Sequence, residues 1–309
     1  MLFRSPTAAG VDGAAQAWRE GACDGIIALG GGSVLDTGKQ LAAFVNSGLG
    51  CAAELIGKPE LIPRNVAPLI AIPTTIGTGS ECSPVTGLHL VVGGPAIGTR
   101  SPLLVPRLAL CDPDLARSLP RRLIAATGID ALSHCIEGFF ANSDHPIIDA
   151  LALDGAGRVI ADIHAALEPD GDAARMSLMA AAYAGGVAIH KGLGPAHAIG
   201  LVCGDQHVHH GTIIGVALPH TTNLLVPHIP DKAARLRRAI GLGEMADIGA
   251  ALRGLVASLG IAVTLSEAGY HLGAREPLVA AMVASHFNRT SSYAPSPAEY
   301  GAILDTIAG

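Results

Sequence analysis

Aromatic side chains are scarce in this chain of 309 residues: they make up 3%, with one Trp, four Tyr and five Phe. Half of the residues are apolar all the same. The core must therefore be built from Ala, Leu, Ile and Val. Charge is sparse too, at 15% of residues and a net −6 with histidine neutral. No block of Lys or Arg stands out; "RLRRA" around Arg237 is short and reads as one exposed helix face. That argues against nucleic acid as a partner. The longest uncharged apolar run, Met176 to Ile189, is too short to span a bilayer and reads as a buried helix. The opening "MLFRSPTAAG" has no apolar segment of the signal-peptide kind. The six cysteines, Cys23, Cys51, Cys82, Cys111, Cys135 and Cys203, form no C-x-x-C pair. They read as buried free thiols in a reducing cytoplasm.

What the chain does have is glycine, 39 residues of it, and proline, 20. The first third alternates short apolar runs with Gly-rich turns. "DGIIALGGGS" reads as a strand entering a turn, and "VLDTGKQLAAFVNSG" as a helix closed by Gly48. "APLIAIPTT", "GLHLVV" and "RLALCDP" read as further strands. Strand, helix and strand in succession imply an α/β layer with parallel pairing. From about Ser118 onward helical periodicity takes over; Ile129, Leu132, Ile136 and Phe139 repeat at helical spacing. The expected organisation is an α/β unit over 1–117 and an all-helical unit over 118–309, with the boundary between residues 116 and 120.

"LGGGSVLDTGK" places Gly30, Gly31, Gly32 and Ser33 between a strand and a helix. Backbone N–H groups at a helix N-terminus form an anion site, because unpaired donors and the helix dipole point the same way. G-x-G-x-x-G would need glycine at Leu35; a P-loop would need glycine at Ser33 and a hydroxyl residue at Gln40. A plain tight turn is the competing reading. "PTTIGTGSE" follows a second strand and offers the hydroxyls of Thr74, Thr75, Thr78 and Ser80. It suits a ligand rich in oxygens, or else a polar surface loop.

In "GIDALSHCIEGFF" Asp130 and His134 stand four apart, with Glu137 three later. On a helix the three share one face. A structural reading makes Thr127 the N-cap, with Asp130 completing a variant capping box. A chemical reading needs more ligands. "HKGLGPAHAIGLVCGDQHVHHGTIIGVALPH" supplies His190, His197, His207, His209, His210 and His220, nearly half of the 13 histidines. Zn or Fe takes imidazole and carboxylate together, so Asp130 and His134 could meet two histidines of this segment. H-E-x-x-H is absent, which excludes a zincin peptidase.

Taken in order, "GGGSVLD", "PTTIGTGSE", "DPDL", "ATGIDALSHCIEGF" and "HHGTIIGVALPH" resemble the iron-containing (group III) alcohol dehydrogenases, whose wider relatives include glycerol dehydrogenase and dehydroquinate synthase. The resemblance covers nearly the whole chain. It implies a Rossmann-like domain, here incomplete, followed by an all-α domain, with Fe²⁺ or Zn²⁺ in the cleft between them. It implies metal ligation by Asp130, His134, His197 and His210. It implies NAD or NADP on Gly31, Gly32, Ser33, Asp36, Thr74, Thr75 and Thr78. The implied activity is reversible hydride transfer between the nicotinamide and an alcohol or aldehyde, with hydroxy acids and maleylacetate-like compounds in range. A cytoplasmic homodimer acting on small molecules, with no membrane partner, completes the expectation.

Three features depart from that pattern. Family members carry about two more βα units before "CDGIIALGGGS", so the chain is expected to be N-terminally shortened and its choice of NAD or NADP is unreadable. The second histidine of the third ligand's helix, a proton-relay position in many members, is Leu201 here, and His207 or His209 stands nearby. No Lys occurs from residue 59 to 190, where many members place one at the cofactor. Two rival readings stay open at this point: a non-redox enzyme of the dehydroquinate synthase type, and a catalytically silent metal-binding protein.

Overall fold

The computed structural model describes residues 6–92, 94, 96–206 and 208–309. Its first element is helix α1 (Ala8–Glu20), which the sequence pattern did not announce. Its inward stripe is Ala8, Val11 and Ala15. Thr7 caps it, accepting from the Gly10 amide at 3.1 Å. Strand β1 (Ile26–Gly30) then leads through the glycine turn into helix α2 (Gly32–Phe44) and on to strand β2 (Leu69–Pro73). β1 and β2 pair in parallel from Ile26↔Leu69 to Gly30↔Pro73. Beyond α2 the turn at Gly48 takes φ +74.

Strand β3 (Val85–His89) and strand β4 (Ala96–Arg100) form an antiparallel hairpin of their own. The expected strand "GLHLVV" therefore stops early. The His89 Nδ1 bonds the Gly94 carbonyl at 2.6 Å, and Leu90, Val91 and Val92 form an exposed tip. Strand β5 (Leu108–Ala109) adds to β2, giving the parallel order β1-β2-β5.

One face of this sheet packs on α2 through Ala28, Leu69 and Ala71. The other carries Ile27 at 69% exposure, Leu29 at 53%, Leu108 at 48% and Leu110 at 49%. The parallel register places Ile27, Ile70 and Leu108 in one row across it. Inner strands of parallel sheets are normally buried on both faces. Here one face is apolar and open, and the outer edge of β1 has no strand partner among the described residues.

After residue 120 the described chain is helical. Helix α3 (Arg121–Phe140) is buried almost throughout, with Ile129, Leu132, Ile136 and Phe139 in its core. Its apolarity would pass for a membrane span, but 94% of the relevant window lies inside the protein. Helices α4 (Pro146–Ala166) and α5 (Asp172–Ala188) pack against it. The three helices use Ala and Gly at their contacts, which is how a core short of aromatics reaches close packing. α5 is less buried than its sequence suggests, since Met176 is 51% and Tyr183 42% exposed. Helices α6 (Pro195–Val202), α7 (His210–Leu225), α8 (Pro230–Ala239), α9 (Ile248–Ser258), α10 (Arg275–Ala284) and α11 (Pro297–Ile307) complete this half. All six cysteines are free; Cys82, Cys135 and Cys203 are buried, whereas Cys23 is exposed and Cys51 and Cys111 are half-buried.

The two halves are joined at the end of α5. Gly79 takes φ +62, and a Cβ there would stand 2.6 Å from the Gly186 Cα. His190 Nε2 bonds the Cys82 carbonyl at 3.0 Å. Arg100 donates to the carbonyls of Ile189 at 3.1 Å and His190 at 2.6 Å, both at the C-terminal end of α5.

Candidate metal centre and nucleotide cleft

Asp130 and His134 rise from α3 one turn apart. His197 comes from the first turn of α6, and His210 from the first residue of α7. The fold brings all four together. His134 Nε2, His197 Nε2 and His210 Nε2 lie 3.8, 3.9 and 3.9 Å from a single atom, Asp130 Oδ1. Ligand atoms of Asp130, His134 and His197 fall within 4.8 Å of one another, and all three residues are buried. His210 approaches from the cleft side, with 48% of its side chain still open. Thr127, the N-cap of the structural reading, lies well inside α3, which starts at Arg121; its hydroxyl donates to the Leu123 carbonyl at 2.7 Å.

The donor set is unsatisfied as it stands. Asp130 Oδ1 and His197 Nε2, which face each other, are buried with no hydrogen-bond partner among the described residues. Buried polar atoms are almost always paired, so two orphaned donors amid converging imidazoles fit a bound cation. Donors about 3.4 Å apart fit a four-coordinate Zn or Fe ion, which is slightly closer than the distances here. Protonation tells the same story. Burial, and then repulsion from Glu137, pushes the Asp130 carboxyl up to about 8. Burial pushes His197 down to about 3. His134 is held well below the usual imidazole range by burial and by His197 and His210. The imidazoles are thus neutral, the form that ligates metal, and a divalent ion would draw the proton from Asp130.

Glu137, the third member of the helix face, has a different place. One carboxylate oxygen accepts from the Ala196 amide at 2.7 Å, and the other lies 2.5 Å from His197 Nδ1. Burial raises Glu137 to about 7, against the pull of the amides of Ala196, Gly194 and His197. With Nδ1 donating to Glu137, the lone pair of His197 sits on Nε2, facing Asp130. The sequence flagged Glu137 by spacing but gave it no partner.

The same cleft reaches the glycine turn. Its volume is about 1110 Å³, and its wall includes Gly31, Gly32, Ser33, Thr75, Thr78, Asp130, His134, His197 and His210. α2 begins at Gly32, so the amides of the turn stand at a helix N-terminus. Added Cβ atoms at Gly31 and Gly32 would meet the methyls of Thr75 and Thr78, each at 3.0 Å. The two loops are therefore pressed together, with Thr74 N donating to the Gly30 carbonyl at 3.0 Å. Thr74 serves that junction and is not on the cleft wall. Asp36 is on the wall but its carboxylate is engaged, with Ser80 Oγ at 2.5 Å and the Gly87 amide at 2.7 Å. Beneath it the buried Lys39 Nζ donates to the carbonyls of Ser80, Ser83 and Val85 at 3.0, 2.9 and 2.6 Å. Neither Lys39 nor its loop-bracing role was foreseen; a lysine inside an apolar helix was the available signal. Leu201 and His209 line the cleft, and His207 lies outside the described residues.

Comparison with known proteins follows the same two halves. Residues 3–113 match the family model for iron-containing alcohol dehydrogenase, and residues 124–307 match the C-terminal model of the Fe-containing alcohol dehydrogenase family. The chain is 37% identical over 315 residues to a 4-hydroxybutyrate dehydrogenase of Cupriavidus necator, covering 97% of this chain and 82% of that one. It is 32% identical over 273 residues to long-chain-alcohol dehydrogenase 1 of Geobacillus thermodenitrificans, covering 84% of this chain and 68% of that one. Among solved structures it resembles sulfoacetaldehyde reductase from Bifidobacterium kashiwanohense in complex with NAD+, with a TM-score of 0.90, 26% identity, and coverage of 99% and 82%. With both halves matched and relatives aligned along almost its whole length, the chain belongs to the iron-containing alcohol dehydrogenase family of oxidoreductases.

Proposed function

We propose that the protein is a metal-dependent, NAD(P)-linked dehydrogenase interconverting a small alcohol and its aldehyde, with ω-hydroxy acids among its substrates. One observation carries this reading: three imidazole nitrogens converge on the Asp130 carboxylate in a cleft that also holds the glycine turn. The names of similar proteins support the substrate range, since they include a 4-hydroxybutyrate dehydrogenase and a sulfoacetaldehyde reductase bound to NAD+.

Asp130, His134, His197 and His210 would hold the ion, Fe²⁺ first and Zn²⁺ as the alternative. When bound, such an ion acts as a Lewis acid that lowers the pKa of an alcohol and polarises a carbonyl. The chain's own residues do the rest. Glu137 keeps the His197 proton on Nδ1. Gly31, Gly32 and Ser33 offer amides to the dinucleotide phosphates, and Thr75 and Thr78 offer hydroxyls beside them. Leu193, Leu201, Val208 and Phe287 give the cleft an apolar wall near the histidines, which keeps water from the reacting carbon. Leu201 carries no proton to pass on, so proton exchange with solvent runs by another route.

In this reading residues 1–117 hold the nucleotide and 118–309 the metal. The family resemblance adds a homodimer and a cytoplasmic location, which sedimentation and fractionation test. The main test is turnover. Protein reconstituted with Fe²⁺ should form NADH or NADPH from NAD+ or NADP+ with 1-butanol or 4-hydroxybutyrate, and lose this on chelation. No turnover with any pairing would overturn the reading.

A further inference from the structure

The wall of the cleft beyond the histidines is basic. A short 3-10 turn, His286–Arg289, follows α10. Its Phe287 packs edge-on against the His197 ring, with centroids 5.7 Å apart and planes at 61°. That contact fixes the turn beside the donor cluster. His286 and Arg289 flank Phe287 on it, and both line the cleft. Arg100 joins the same wall from β4.

These charges are not neutralised. Neither Arg100 nor Arg289 has a carboxylate within ion-pair distance among the described residues. Arg100 donates only to backbone carbonyls. The guanidinium of Arg289 makes no hydrogen bond among the described residues, although its backbone carbonyl accepts from Asn142 at 2.8 Å. The acids on the cleft wall are Asp36, Asp130 and Asp205. Asp36 is held by Ser80 and Gly87, and Asp130 faces the imidazoles. Asp205 lies within ion-pair distance of neither arginine among the described residues. Burial, and then the nearby charges of Arg289 and Arg100, hold His286 below the usual imidazole range. Arg100, His286 and Arg289 are exposed on the cleft wall, open to a ligand entering from solvent.

We propose that Arg289, assisted by Arg100 and His286, is an anion subsite that receives a carboxylate or sulfonate at the far end of the alcohol or aldehyde substrate. The inference rests on the dehydrogenase reading above and names the substrate class of that site. A guanidinium fork matches the two oxygens of a carboxylate, and Leu193, Leu201 and Phe287 of the same cleft suit a short methylene chain. The dinucleotide phosphates do not compete for this position: their amides lie at the start of α2, whereas Arg289 sits on a turn anchored to His197. The substrate is thereby held at both ends, the anion on Arg289 and the oxygen at the histidine cluster, which fixes the reacting carbon.

The experiment compares 4-hydroxybutyrate with 1-butanol, equal in carbon count and differing in the carboxylate. The metal-loaded wild type should favour 4-hydroxybutyrate in kcat/KM. Arg289→Gln should reduce that preference by about tenfold or more, a charge-assisted hydrogen bond being the difference, and Arg289→Lys should recover part of it. The KM for the nucleotide should not follow. A second readout needs no turnover: calorimetric titration with sodium butyrate should show binding to the wild type and weakened binding to Arg289→Gln. Turnover of both alcohols with a preference that ignores Arg289, or a change confined to the nucleotide KM, would overturn the subsite and leave the dehydrogenase standing. Arg289-dependent butyrate binding by a protein inactive toward every alcohol would uphold the subsite and overturn the dehydrogenase reading.

Discussion

Glu137→Gln separates a role in metal binding from a role in packing. The wild-type carboxylate faces two donors, the Ala196 N–H at 2.7 Å and His197 Nδ1 at 2.5 Å. Glutamine keeps the volume but has only one acceptor atom; its NH2 must face one of those donors. If the amide oxygen stays on Ala196, His197 relaxes by moving its proton to Nε2, the atom aimed at Asp130. That tautomer cannot ligate. Losing such an outer partner lowers metal affinity by about 10- to 100-fold, or roughly 1.4–2.7 kcal/mol. The metal-free protein should respond in the opposite sense. After burial, the charge of Glu137 is what raises the Asp130 carboxyl, so removing it relieves a buried repulsion. The melting temperature of the apo form should therefore hold or rise while affinity falls. Competition titration with a chelator reads the affinity, and calorimetry of the apo form reads stability. Undiminished metal affinity in Glu137→Gln would refute the argument. A parallel loss of affinity and apo stability would reduce Glu137 to a packing residue.

Other outcomes follow from the same structure. Metal affinity should climb about tenfold per pH unit up to about pH 8 and then level, because one proton leaves Asp130 on binding while His197 is already neutral; titrations in buffers of different ionisation heat would show a proton count near zero at pH 6 if this is wrong. In the metal-free protein the sign reverses: Asp130 is raised in the fold, so its contribution is present at low pH and is lost as pH rises through about 8. Gly79→Ala should destabilise by about 3 kcal/mol, combining a left-handed φ with a clash against Gly186; denaturant melts within about 0.5 kcal/mol of wild type would deny that the junction is tight. Amides of β1 should exchange faster than those flanking His134, since β1 is an open edge beneath an apolar exposed face and α3 is buried; equal protection would mean that something covers that face.

The sequence made the site more legible than the scaffold. Asp130 and His134 could be paired because a helix has a fixed repeat, and the glycine turn because a strand preceded it. His197 and His210 sit 13 residues apart on different helices; only resemblance to a family selected them from six histidines. Glu137 was visible as spacing, but its partner lies 60 residues away, beyond any local rule. The β3–β4 hairpin was missed because its apolar strand runs on into an exposed turn. Thr74 was grouped with Thr75 and Thr78 by the family resemblance; in the fold its amide bonds the Gly30 carbonyl, and only Thr75 and Thr78 of the three line the cleft. Arg100 and Arg289 drew no attention in one dimension, since neither belongs to a charged run. Their convergence on the cleft exists only after β4 and the turn beyond α10 are brought together.

The central claim is that one divalent ion sits among Asp130, His134, His197 and His210. Elemental analysis of the metal-reconstituted protein, repeated on His134→Ala and His197→Ala, tests it most directly. The account predicts close to one Fe or Zn per wild-type chain and almost none in either variant. Full occupancy in both variants would contradict it.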